Sequence, residues 1–306
     1  MSRHVAVFGM GNVGSTVAHQ LILNGHVDEL TLFDTNEAKV KADALDFEDA
    51  MSNLNHSVKI NVNDQAALKS AEVIVSALGN IGLIGGDNPD RFGELKHNRE
   101  QVKKVGQTIK ESGFSGVLVV ITNPNDAICN LYQEVTGLAK EKVIGTGTLL
   151  DSARLQRAVG KLFDVHPKSV QGYSLGEHGD SQFVAWSTVK VMGQSIYKLL
   201  EKVDFSLEDV DQETRDGGYV VFSGKKYTNY GITAAADRLV DAVLSDSHEE
   251  LPVSNYREEY GTYLSYPAIV GKAGIVKQSQ LDLTEEELAK LQNSADTIKE
   301  KSKFED

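Results

Sequence analysis

Gly9-Met10-Gly11-Asn12-Val13-Gly14 decides how this chain is read. The stretch directly follows an aliphatic run, Val5-Ala6-Val7-Phe8, and opens an amphipathic segment over 12–24. Strand, glycine turn and helix in that order suit a dinucleotide. The first glycine permits a tight turn, the second lets a pyrophosphate approach the backbone, and the third lets helix and strand pack closely. The helix start then offers free N–H groups and partial positive charge to the phosphates. Asp34 ends the next aliphatic run, twenty residues after Gly14, where an acidic side chain grips a ribose diol. A blander reading of the same letters is a tight turn plus a helix-capping Asp34. A carboxylate at this place repels a 2′-phosphate, and Thr35 and Asn36 supply no arginine to attract one. NAD is therefore expected rather than NADP.

Outward from this turn, short continuous aliphatic runs alternate with longer amphipathic segments. The runs are Leu30 to Phe33, Val73 to Val75, Val117 to Ile121 and Val143-Ile144. Helices are predicted over 36–52, 91–112 and 126–136. Continuous apolar runs are those of parallel strands buried on both faces. The pattern predicts an α/β fold, a Rossmann-type doubly wound parallel sheet over 1–145. After about residue 150 the rhythm changes. Helices near 151–163, 206–216, 227–246 and 284–302 surround strands at 183–186, 189–191 and 262–277, a mixed α+β substrate-binding half over 146–306. Thr284 and Glu287 have capping-box spacing.

Composition narrows the function classes. The 306 residues carry 31 basic and 44 acidic side chains, a net charge of −13, which disfavours nucleic acid as a partner. No run approaches the ~18 apolar residues of a membrane helix, and no signal peptide is visible. Cys129, the one cysteine, reads as a small core residue and forbids an intrachain disulfide. A cytoplasmic protein is expected, with no metal site.

Three further motifs carry chemistry. His178 lies in Gly176-Glu177-His178-Gly179-Asp180-Ser181, a tight loop that suits an acid/base and equally suits a surface histidine in a turn. Asp151 and Arg154 are three apart and share a helix face. They form either an intrahelical ion pair or a working pair, with Asp151 holding a histidine and Arg154 forking onto a carboxylate. Asn123, in Thr122-Asn123-Pro124, follows a strand's carboxyl end, where ligands of such sheets bind. The glycine-rich stretch from Gly79 to Gly93, with Arg91 as its one cation, reads as a lid.

Taken in order, these motifs resemble the L-lactate/L-malate dehydrogenase family over nearly the whole chain. Within it, the segments 90–96, 145–151 and 181–189 are most similar to the L-2-hydroxyisocaproate dehydrogenase branch. The resemblance implies an NAD-dependent L-2-hydroxyacid dehydrogenase that is a dimer or tetramer. It implies His178 as general acid/base, Asp151 as its orienting partner and Arg91 as the lid cation that polarises the carbonyl. Arg154 is then the carboxylate grip, with Asn123 near the reacting oxygen and the nicotinamide. Thr228 lines the substrate pocket, Ile232 packs on the nicotinamide ring and Thr146 lies near its carboxamide. Gly9, Gly11, Asn12, Val13, Gly14, Asp34 and Gly79 complete the cofactor site. Malate dehydrogenases of this family place a second arginine in the lid and lactate dehydrogenases a glutamine. This lid has neither before Arg91, and Leu83 and Ile84 offer an apolar wall. A branched or long aliphatic 2-oxo acid, 2-oxoisocaproate foremost, is expected as substrate. The alternatives are a lactate dehydrogenase with an atypical lid and a non-catalytic NAD-binding redox sensor.

Overall fold

The computed structural model describes residues 3–79, 95–201 and 205–303. Six parallel strands form the first half of the main sheet: β1 (His4–Phe8), β2 (Glu29–Phe33), β3 (Lys59–Val62), β4 (Val73–Ser76), β5 (Val117–Val120) and β6 (Val143–Gly145). Their spatial order is β6-β5-β4-β1-β2-β3, so the direction of winding reverses between β1 and β4. Alternate residues of each strand enter two different cores. Val5, Val7, Val73, Val75, Val117 and Val119 face one side. Ala6, Phe8, Ile74, Leu118 and Val120 face the other. Both faces are therefore covered, which is why the runs are apolar throughout. Burying each Val, Leu, Ile or Phe among them contributes roughly 1.5–3 kcal/mol. Strand β3 is not among the aliphatic runs of the sequence. Lys59 is exposed and the other three residues only half-buried, and Lys59 and Asn61 break the apolar run at the sheet edge.

Helices α1 (Asn12–Leu23), α2 (Glu37–Met51), α3 (Leu95–Ser112) and α4 (Asn125–Thr136) match the predicted segments within a few residues. The second half begins with α5 (Leu149–Leu162). A three-stranded sheet follows, of β7 (Val170–Leu175), β8 (Phe183–Val191) and β9 (Gln194–Ser195). The runs at 183–186 and 189–191 are one continuous strand, because Ser187 and Thr188 stay in extended geometry between them. After the short α6 (Ile196–Leu200), α7 (Leu207–Lys225) extends well past residue 216. Gly217 and Gly218 lie inside it. Helix α8 (Tyr230–Leu244) then returns to the parallel sheet. Ile232, Ala236, Leu239 and Val240 join the same core as α1. Strands β10 (Glu249–Arg257), β11 (Thr262–Gly271) and β12 (Gly274–Gln278) extend the main sheet antiparallel beyond β6, through Ser254 opposite Gly145. Helix α9 (Glu285–Lys301) closes the chain with the predicted capping box in place. Cys129 is fully buried, and burial pushes its thiol well up. Among the described residues no helix is long and apolar enough to cross a membrane. Nor does any group of three or more His, Cys, Asp or Glu there suit a metal ion.

Candidate active site

The glycine turn leaves β1 at the point where the winding reverses. Gly9 sits at φ +90°, and a Cβ on it would stand 2.7 Å from the Ala77 carbonyl oxygen. Gly14 is closer still, since its Cβ would lie 1.9 Å from the Gly9 carbonyl oxygen, so α1 can seat itself on the turn only with glycine there. Gly11 is different. A Cβ on it would meet nothing within 4 Å, so the backbone faces open space at the N-cap of α1. Asn12 is exposed beside it and Val13 packs down onto the core. This is the cradle a pyrophosphate requires. At the end of β2, Asp34 Oδ2 accepts the Met10 N–H (2.7 Å) and Oδ1 accepts the Asn36 N–H (2.8 Å). The cap of α2 is Asn36, whose side chain accepts from the Lys39 N–H, so Asp34 does not cap that helix. Asp34 instead ties the glycine turn to β2. The residues present fit a dinucleotide.

Gly79, Asn123 and Thr146 occupy the same carboxyl edge of the sheet. Gly79 follows β4 and is exposed. Asn123 follows β5 with its side chain exposed, and its carbonyl accepts from Asn98 Nδ2 at 2.7 Å. Thr146 follows β6 and is buried. Ile232 is in the first turn of α8, and Thr228, half-buried, lies just before that helix. Leu83, Ile84 and Arg91 lie outside the described residues.

The second half brings the charged cluster together. β7 is clamped to α5, with Thr148 Oγ1 donating to the Ser174 carbonyl (2.5 Å) and the Ser174 N–H donating to Ser152 Oγ (3.0 Å). The chain leaves β7 at Leu175, so His178 arrives over the first turn of α5. Its Nδ1 lies 2.8 Å from Asp151 Oδ2. The other carboxylate oxygen, Oδ1, accepts from Arg154 Nη1 at 2.9 Å. The intrahelical pair of Asp151 and Arg154 therefore forms, and the same Asp151 carboxylate also holds the histidine. Asp151 is 5% exposed, while His178 and Arg154 are 18% and 19% exposed. One face of each therefore stays open to a ligand while their partner is shielded from water. Bound to a shielded carboxylate at Nδ1, His178 presents Nε2 as the atom that can give or take a proton.

Several residues of the site carry no assignment from the sequence. Asp126, in the first turn of α4, accepts the His178 backbone N–H on Oδ2 (2.8 Å) and the Ser254 hydroxyl on Oδ1 (2.5 Å). Burial pushes its carboxyl up to about 6, against the opposing pull of Ser254, the His178 N–H and the His178 charge, while Glu177 adds to the rise. Glu177 is itself buried and accepts from Ser181 N–H (3.2 Å) and Oγ (2.6 Å). Gly218 of α7 leaves room for Arg154, since a Cβ there would approach Nη1 to 3.2 Å. Glu177 stands next to His178 in the same glycine-flanked motif, and that adjacency is a signal that could have found it. Asp126 and Gly218 meet the site only across long sequence separations, which no local pattern reveals.

Two family models match the chain. Residues 3–145 match the lactate/malate dehydrogenase NAD binding domain, and residues 148–305 match the lactate/malate dehydrogenase alpha/beta C-terminal domain. The chain is 36% identical to an L-lactate dehydrogenase of Mycoplasma mycoides, with 96% of this chain and 94% of the relative covered. It is 34% identical to an L-lactate dehydrogenase of Staphylococcus saprophyticus, over 98% and 95% of the two chains. The crystal structure of a minor L-lactate dehydrogenase from Enterococcus mundtii superposes with a TM-score of 0.92 at 32% identity, covering 98% of each chain. These three relatives are named for lactate, and the similarity to the hydroxyisocaproate branch has no counterpart in their names. This chain belongs to the lactate/malate dehydrogenase family and is an NAD-dependent oxidoreductase acting on the CH–OH group of 2-hydroxy acids.

Proposed function

We propose that the chain interconverts an L-2-hydroxy acid and its 2-oxo acid, with His178 as acid/base, Asp151 as its orienting partner and Arg154 as the carboxylate grip. The observation that carries this reading is the single shielded carboxylate of Asp151 shared between His178 and Arg154. In the direction of reduction, protonated His178 gives its Nε2 proton to the substrate oxygen while Nδ1–H stays donated to Asp151. In oxidation the neutral ring takes that proton back. Arg154 presents two parallel donors to the substrate carboxylate and so fixes which face of the carbonyl is presented. NADH, when bound, supplies the hydride. Gly9, Gly11, Asn12, Val13 and Gly14 would hold its pyrophosphate and Asp34 its adenosine ribose. Asn123, Gly79, Thr146 and Ile232 would flank its nicotinamide half, and Thr228 would line the substrate pocket. Arg91 is proposed as the lid cation that polarises the carbonyl.

The names of the relatives favour pyruvate and lactate as the substrate pair, the alternative to a branched 2-oxo acid. A second reading, 2-oxoisocaproate, keeps one specific support: the lid letters before Arg91 contain neither a basic residue nor a glutamine, and Leu83 and Ile84 are apolar. A redox sensor is the weaker account, because sensing does not require an acid/base, its partner and a carboxylate grip together. The proposal includes a division at 145/146 into a cofactor half and a substrate half, a homodimer or homotetramer, and a cytoplasmic location. The test is loss of NADH absorbance with pyruvate, 2-oxoisocaproate and oxaloacetate, ranked by kcat/KM. Pyruvate in first place supports the lactate reading. 2-Oxoisocaproate in first place supports the apolar lid. No turnover of any 2-oxo acid overturns the proposal.

A further inference from the structure

His178 is held at two points by two different carboxylates. Asp151 takes its ring. Asp126 takes its main chain, through the 2.8 Å bond from the His178 N–H to Oδ2. Asp126 is 1% exposed, and its second oxygen is occupied by Ser254 of β10. An ionised carboxylate buried this deeply is costly unless it is bonded, and a single serine hydroxyl is a small return for that cost. The rest of the loop has other anchors. Glu177 binds Ser181, and Ser294 Oγ of α9 donates to the Ser181 carbonyl at 2.7 Å. The loop would thus remain folded without Asp126. What Asp126 supplies is a link from the histidine to α4, the helix that begins directly after Asn123-Pro124.

We propose that Asp126 is a positioning residue for proton transfer: its carboxylate pins the His178 backbone to the first turn of α4 and so sets His178 Nε2 in register with Asn123 and the nicotinamide side of the cleft. The inference rests on the acid/base assignment of His178. A misplacement of about 1 Å at a reacting group can cost on the order of 10²-fold in rate, so a tether of this kind has a measurable effect on kcat.

Three substitutions separate the tether from other roles. Asp126→Asn keeps an oxygen for the His178 N–H and offers its amide to the Ser254 hydroxyl, so kcat is expected to stay within about fivefold of wild type. Asp126→Ala removes the acceptor and is expected to lower kcat at least thirtyfold, with NADH binding by fluorescence unchanged. The isotope effect from NADH deuterated at nicotinamide C4 should rise as chemistry becomes limiting. Amide exchange over 174–182 should accelerate in Asp126→Ala and not in Asp126→Asn. Asp126→Leu fills the same volume without an acceptor and serves if the alanine variant does not fold. Alanine or leucine variants with kcat within threefold of wild type overturn the inference, as does a thirtyfold loss in Asp126→Asn. Failure of both variants to fold assigns Asp126 to the scaffold and overturns it equally. Wild type that turns over no 2-oxo acid defeats instead the acid/base reading beneath it.

Discussion

Replacing Asp151 by asparagine tests the centre of the site with almost no change of shape. The carboxylate accepts on both oxygens, from Arg154 Nη1 at 2.9 Å and from His178 Nδ1 at 2.8 Å. An asparagine has one acceptor and one donor. A guanidinium cannot accept, so the amide oxygen must turn to Arg154 and the amide N–H to His178. Nδ1 then becomes an acceptor and the ring proton moves to Nε2. That tautomer cannot take a proton at Nε2 from a hydroxy acid, and the imidazolium that reduction uses loses its partner. Hydrogen bonds to charged groups are worth ~1.5–3 kcal/mol each. The direct attraction of two unit charges at ~4 Å is about 4 kcal/mol at an effective dielectric of 20. A loss of about 3–4 kcal/mol, the upper end of the bond or the full attraction, lowers kcat/KM by roughly 10²–10³. NADH binding should be unchanged, because Asp151 lies on α5 and the glycine cradle on α1. The assay is the initial rate of NADH oxidation with pyruvate and of NAD reduction with lactate, alongside NADH fluorescence titration. Loss should appear in both directions. A variant within threefold of wild type in either direction refutes the claim that Asp151 sets the tautomer.

Other outcomes follow from the same geometry. Arg154→Lys replaces two parallel donors by a point charge, so KM for the 2-oxo acid should rise by a factor corresponding to several kcal/mol. Its NADH affinity should be unaltered, and equal damage to both would make the Asp151 pair merely structural. Asp34→Ser should erode the preference for NADH over NADPH, since it removes a carboxylate that would repel a 2′-phosphate; comparable wild-type kcat/KM with both cofactors would contradict this. The Asp126 carboxyl is pushed from 3.8 up to about 6 by burial, with Glu177 adding and Ser254, the His178 N–H and the His178 charge opposing. Because the folded value is the higher one, the stability linked to this group is present below about 3.8 and is lost as pH rises through about 6. Asp126→Asn should therefore gain on wild type between pH 4 and pH 7, by on the order of a few kcal/mol, visible as a widening gap in Tm. A gap independent of pH would show that Asp126 does not titrate in that window.

The parts that can be read from the sequence are those with local causes. The parallel strands announce themselves because both faces are buried, so no polar residue interrupts Val5-Ala6-Val7 or Val117 to Val120. The glycine turn is legible because a Cβ at Gly9 or Gly14 collides with backbone within the same strand–turn–helix unit or its neighbour strand. Where the cause is distant, the letters stay silent. Lys59-Ile60-Asn61-Val62 becomes a strand only because β2 offers an edge to pair with. The helix expected near 206–216 runs on through Gly217 and Gly218 as α7, with the arginines of α5 opposite, at Arg157 and Arg154. The same division runs through the site. Asp151 and Arg154 are visible as a pair at helical spacing, and His178 as a loop histidine, but the 27 residues between His178 and Asp151 close only when β7 docks on α5. Asp126 reaches His178 across 52 residues and Ser254 across 128. The charged groups legible in the sequence are those with a local pattern, a helical spacing or a glycine-flanked loop. The carboxylate that holds the histidine's backbone faces inward, and only the fold brings it there.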